Sequence, residues 1–292
     1  MKLFSLFTGI GGLDYGLKDR CQLVGYSEIK DSSIKIFKKH YKGKNYGDIT
    51  KINVKELPDF DILTGGFPCQ SFSLAGLRKG FDDLKDNKGQ MIFYIYKILM
   101  GKKPKYVVLE NVKGLLTHNR GKTYRDVFKL LQSAGYNVRV LLLNALYYGS
   151  AQNRERLIFL CSSEDFEVKK PIILNDKKRF RDIRDNKDFK FMNYEGRNKD
   201  KIEQKRQFNY ELIGGYDRVG TLTTQYGCGE KLVGEGEKFR YLTIKECERL
   251  QGFPDNWTEG VSYSARYWAL GNAVNCNMSD YLFNNYLVGL WW

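Results

Sequence analysis

The chain begins with an apolar run, "KLFSLF", that stops at a cluster of glycines, and apolar runs alternate with amphipathic stretches through its first half. "QLVGYSEI" is followed by "SSIKIFKKHY" and then "DILTGG". After these come a helical stretch near 88–100, "YVVLENV", another near 123–134, and the runs "VRVLLLNAL" and "RLIFLC". Strand-like runs separated by helix-period segments predict an α/β fold, a largely parallel sheet with helices on both faces. A helix is expected near 12–19, directly after the first glycine cluster. Sheets of this kind bind ligands outside the carboxyl ends of their strands. Three segments fall there: "FTGIGG", "GGFPCQSFS" and "ENVKG".

Near Lys170 the pattern changes. Residues 171–240 are polar, charged and glycine-rich, with only short apolar runs ("PIIL", "ELIGG", "TLTT", "KLV"), which predicts a small, irregular second domain. From Tyr241 helix-forming sequence returns with "LTIKECERLQGFPDNW" and "ALGNAVNCNMSDYLFNNYLVGL". The latter reads as one last helix packed back on the sheet. The expected division is 1–170, 171–240 and 241–292, with residues 1–170 and 241–292 forming one unit.

Composition narrows the setting. No run of 18 apolar residues occurs, and the start lacks a secretory pattern. The six cysteines (Cys21, Cys69, Cys161, Cys228, Cys247, Cys276) show no CxxC spacing, and only His40 and His118 could add imidazole. These counts argue against a metal site and for a reduced, cytoplasmic environment. The net charge of +14 points to a polyanionic partner. Between Val168 and Gln207 there are 14 Lys and Arg against 7 Asp and Glu, interleaved with Phe180, Phe189, Phe191 and Tyr194. Cations mixed with aromatics suit a nucleic-acid surface.

The glycine loop resembles a nucleotide site without being a dinucleotide fingerprint, because Asp14 stands where the third glycine of Gly9-x-Gly11-x-x-Gly would fall. Glu28 ends the second predicted strand, where a carboxylate can accept ribose hydroxyls. Asp48, in "YGDIT", is a second acid at such an end. Two acids and a loop short of one glycine suit an adenosyl ligand without pyrophosphate, of which S-adenosylmethionine is the obvious candidate. In "GGFPCQSFS" the backbone around Cys69 is fixed by Pro68 and by the tight glycines before it.

Taken together and in order, "LFTGIGG", "GGFPCQSFS", "ENVKG", "QNRERL", "LTIKECERLQGFP" and "GNAV" resemble the DNA cytosine-5 methyltransferases. The likeness runs from Lys2 to about Leu160 and from Tyr241 to Leu287. It implies a Rossmann-like methyltransferase sheet plus a target-recognition domain, and a monomer acting on double-stranded DNA with neither metal nor membrane, in a prokaryotic cell or a virus-infected one. C5 of cytosine attacks a methyl sulfonium only after a nucleophile has added to C6, and the resemblance makes Cys69 that nucleophile. It sets Glu110 at N3 and the exocyclic amine and Arg156 at O2. Arg154, also within the catalytic group, supports the loop or a phosphate, and Gln152 completes "QNRER", although the family often has Pro where this chain has Ala151.

Around the cofactor the resemblance places Phe7, Gly9, Gly11 and Gly12, with Glu28 on the ribose, Asp48 on the adenine amine, and Pro68, Met91, Asn272 and Val274 alongside. DNA contacts fall to Gln70, Ser71, Arg218, Thr221, Leu222 and Gln225. The loop from Ser71 to about Gly89 is expected to close over a flipped base. A tRNA-methylating branch of the same family and a catalytically silent DNA-binding relative are the alternatives. The absence of a "CFT" stretch argues against the first. The intact Cys69, Glu110 and Arg156 argue against the second.

Overall fold

The computed structural model describes residues 1–68, 91–168, 171–174, 178–185, 192–193, 211–214, 217–224, 231–235 and 238–285. Cys69, Gln70, Ser71 and Gln225 lie outside them, as does the whole 71–89 loop.

Seven strands form the main sheet: β1 (Lys2–Leu6), β2 (Gln22–Ser27), β3 (Lys44–Asn45), β4 (Ile62–Gly66), β5 (Tyr106–Val112), β6 (Asn137–Asn144) and β7 (Glu155–Ser162), in the order β3-β2-β1-β4-β5-β7-β6. Helices α1 (Asp31–His40), α2 (Met91–Lys102) and α3 (Lys122–Ser133) connect them. Period-two alternation sorts the apolar side chains to the two faces. Phe4, Leu6, Leu63, Val107, Leu109, Leu157 and Phe159 pack with Ile95 and Leu99 of α2 and Leu130 of α3. Leu3, Ile62, Tyr106, Val108, Ile158 and Leu160 pack on the opposite side with Met278, Leu282 and Phe283.

The parallel expectation holds for β3, β2, β1, β4 and β5, whereas β7 runs antiparallel to both β5 and β6. The expected helix at 12–19 is a single 3₁₀ turn, Asp14–Leu17. Gly11 just before it sits at φ +88°, outside helical conformation, and Gly16 packs so closely on the backbone of Ser279 and Asp280 that a Cβ there would overlap them. The expected last helix is two, α5 (Tyr263–Asn272) and α6 (Cys276–Asn285), preceded by α4 (Ile244–Leu250). The chain turns extended at Ala273 (ψ 149°), and the freed carbonyls of Gly271 and Ala273 become acceptors for Arg154.

A second sheet, β8 (Met192–Asn193), β11 (Lys238–Tyr241), β10 (Lys231–Glu235) and β9 (Glu211–Ile213) in that order, arises within the polar stretch. Ile213, Val219 and Val233 share a core with Ile244, Leu250 and Phe253, so this sheet is packed against the C-terminal helices. Among the described residues no helix is long and apolar enough to cross a membrane, and no group of His, Cys, Asp and Glu is placed to hold a metal.

Candidate active site

Strand register builds one rim of the cleft. Gly66 pairs with Glu110 across β4 and β5, and Val112 pairs with Arg156 across β5 and β7. A parallel strand presents its end at this rim. Because β7 runs the other way, it presents its beginning there, and Arg156 arrives beside Glu110. The Arg156 Nε donates to Glu110 Oε1 at 2.7 Å, with only 11% of each side chain exposed. Burial pushes the Glu110 carboxyl above the ordinary carboxylate range, although the Arg156 and Arg154 charges and the Arg156 hydrogen bond pull it down. Pro68 follows directly on this rim. Asn111 holds the approach to it by donating from Nδ2 to the carbonyl of Phe67 at 3.0 Å.

Glu110 and Arg156 line a cleft of about 740 Å³ together with Phe7, Gly9, Glu28, Pro68 and Asn272. Such a volume lies within the range of small-molecule sites. Phe7 adopts φ +52°, a left-handed conformation unusual for a side chain of its size. Glu28 is oriented by backbone donors, Gly9 N to Oε2 at 2.9 Å and Ile29 N and Lys30 N to Oε1 at 2.8 and 2.9 Å. Two carboxylate oxygens offer about four acceptor positions, so these three bonds leave room for a ligand hydroxyl. Ser33 also belongs to the lining. Its hydroxyl is buried and has no hydrogen-bond partner among the described residues.

Gly11, Gly12, Asp48, Met91, Arg218, Thr221, Leu222 and Val274 do not line the cleft. Gly11 rests on the Tyr41 ring, and Gly12 packs so closely on the Val274 carbonyl that a Cβ would overlap it. Val274 itself is core, and Met91 packs at the edge of the other core. Asp48 caps the 3₁₀ turn Ile49–Lys51, its Oδ1 accepting from both the amide and the hydroxyl of Thr50 at 2.9 Å. Thr221 donates its hydroxyl to Asn153 O at 2.7 Å, Leu222 is buried, and Arg218 is exposed.

Arg154 has the supporting part. Fully buried, it donates to Leu222 O (3.1 Å), Gly271 O (3.0 Å) and Ala273 O (2.7 Å) while also lining the cleft. Burial and the Arg156 charge lower its pKa, but a guanidinium stays charged at neutral pH. Gln152 is a parallel tie, accepting from Leu222 N at 3.0 Å and donating to Leu250 O at 3.2 Å. Arg154→Met is expected to cost about 3 kcal/mol or more, since several buried carbonyls lose their donor and each unmet group costs roughly 1–3 kcal/mol. Urea unfolding measures it.

Sequence reasoning missed Lys30, Ser33, Thr223, Thr224 and Trp268, all of which line the cleft. The Lys30 ammonium lies over the Trp268 ring and so bridges two walls of the cleft. For Thr223 and Thr224 the signal was adjacency to Thr221-Leu222. Trp268 offered none beyond its place one turn before Asn272.

The S. pombe Dnmt2 methyltransferase has a similar structure, with a TM-score of 0.80 at 22% identity over 100% of both chains. The Entamoeba histolytica methyltransferase EhMeth follows at 0.78 and 19%, covering 99% of this chain and 98% of its own. The fold is the Rossmann-like fold of these methyltransferases. The family model for C-5 cytosine-specific DNA methylases matches residues 1–227 and 174–287. Type II methyltransferase M.NlaX of Neisseria lactamica is 36% identical over 94% of this chain and 92% of its own length. Type II methyltransferase M.HhaI of Haemophilus parahaemolyticus is 32% identical over 98% and 94%. The chain belongs to the C-5 cytosine-specific DNA methylase family and is a DNA (cytosine-5)-methyltransferase.

Proposed function

We propose that the chain moves a methyl group from S-adenosylmethionine to C5 of a cytosine everted from double-stranded DNA, with Cys69 bonded to C6 during the transfer. The observation that carries this reading is the shared cleft: the Glu110–Arg156 pair lines the same space as Phe7, Gly9 and Glu28. Phe7, Gly9, Glu28, Pro68 and Asn272 would hold the donor. Bound there, S-adenosylmethionine supplies an electrophilic methyl group.

The protein's own groups act on the base. The Cys69 thiolate adds to C6, and electron density moves into the ring toward O2 and N3. Arg156 stabilises the charge that develops at O2. Glu110, kept protonated more readily by burial, donates to N3 and holds the exocyclic amine. C5 becomes nucleophilic and takes the methyl group; loss of the C5 proton then expels the thiolate and restores the aromatic ring. A base inside a duplex cannot meet a thiol on one face and a donor on the other, so it must leave the stack.

Residues 171–240 would read the DNA sequence, Arg218 and Gln225 being suited to guanine and adenine edges. The setting that fits is a monomer in the cytoplasm of a prokaryotic cell. With radiolabelled S-adenosylmethionine, label is expected as 5-methylcytosine in duplex DNA. Label entering tRNA while duplex DNA stays unlabelled would overturn the reading.

A further inference from the structure

The loop from Phe7 to Gly12 holds an unusual shape. Phe7, Gly9 and Gly11 all have positive φ, at +52°, +55° and +88°. Conformations of this kind persist where the surroundings over-determine them. On the cleft side one amide is held, Gly9 N by Glu28 at 2.9 Å. On the far side two carbonyls are captured by aromatic side chains that do not line the cleft. Tyr41 donates its hydroxyl to Gly11 O at 3.0 Å, and Trp257 donates Nε1 to Ile10 O at 3.0 Å.

Both donors are buried and fixed in place. Tyr41, just past α1, stacks on Phe37 with ring centres 4.4 Å apart, and a Cβ at Gly11 would strike its ring. Trp257, from "QGFPDNW", is sandwiched between His40 at 3.5 Å and Phe253 at 5.1 Å. His40 Nε2 sits 2.8 Å from Trp257 O, which ties the backbone of the tryptophan as well. A trans peptide points its N–H opposite its C=O, so holding the carbonyls of residues 10 and 11 also fixes the amides of Gly11 and Gly12.

We propose that Tyr41 and Trp257 are positioning residues for the methyl-donor site, setting the shape of the Phe7–Gly12 loop from behind through the carbonyls of Gly11 and Ile10. This rests on reading that loop as the S-adenosylmethionine site. Neither residue touches the reacting atoms.

The test measures S-adenosylhomocysteine binding by titration calorimetry in the full chain and in Tyr41→Phe and Trp257→Phe, which remove the donor and keep a ring. Tyr136→Phe is the control: it removes an equally buried hydroxyl that donates to Pro104 O at 2.8 Å, among core residues on the other face of the sheet. Each loop variant is expected to weaken S-adenosylhomocysteine about tenfold, on the order of one hydrogen bond left unmade, with the KM for DNA unchanged. Tyr136→Phe should lower Tm and leave the affinity alone. The proposal is overturned if the loop variants bind as tightly as the unaltered chain, or if Tyr136→Phe weakens binding as much. It also falls if the KM for DNA shifts equally. Tyr41→Phe keeps the test open should Trp257→Phe not fold. Failure of the unaltered chain to bind S-adenosylhomocysteine at all would instead sink the reading of the loop, and the proposal with it.

Discussion

Cys69→Ala is expected to abolish methyl transfer, with a loss of at least about 10⁴-fold, the scale seen when a covalent nucleophile is removed. Among the described residues Cys161, Cys247 and Cys276 are poor substitutes, because they are buried in the cores and burial pushes each thiol far above its ordinary pKa. A duplex carrying 5-fluorocytosine should trap the unaltered enzyme as a complex that survives denaturing electrophoresis, because fluorine at C5 cannot leave as a proton does. The alanine variant should form none. Transfer at an undiminished rate by Cys69→Ala would exclude thiol addition.

The second large effect is expected at Glu110. Glu110→Gln preserves shape but cannot give up a proton, and should lower kcat by roughly 10²- to 10³-fold, within the usual contribution of general acid catalysis. S-adenosylhomocysteine should bind as before. The pH dependence follows from the burial of the carboxyl. Its pKa is raised, so the protonated form that donates to N3 is full below that pKa and disappears as pH rises through it. kcat/KM of the unaltered enzyme should therefore fall on the alkaline side of this titration, while Glu110→Gln lacks that limb. A variant within tenfold of the unaltered rate, or one with the same alkaline limb, would assign the proton elsewhere.

Much of the site was legible because the rim residues sit in contiguous motifs whose strand register is local. "GGFP" and "LENV" are neighbouring strands, so Gly66 opposite Glu110 follows from two apolar runs ending together. The reversal of β7 was not legible, since "RLIFLC" reads the same in either direction and only the short link from β6 forces it back. The break between α5 and α6 was hidden for a related reason. "GNAVNCN" has no proline, and the carbonyls freed at the turn are met by Arg154, over 100 residues away in the chain. Gly12 and Val274 were grouped with the cofactor from their motifs, yet they meet each other, because packing of the return helix against the loop is a long-range fact. Thr221 and Leu222 were grouped with the DNA contacts from their motif, and their hydrogen bonds run to Asn153, Gln152 and Arg154.

The grip of Arg154 and Gln152 on Leu222 is made through main-chain atoms on the Leu222 side, a carbonyl and an amide that every residue except proline possesses. On the proposed reading of residues 171–240 as the part that meets the bases, substitutions there would alter which bases are read without loosening these main-chain ties at Leu222. A protein with that division of labour would acquire new sequence preferences by drift while its reaction centre stays intact.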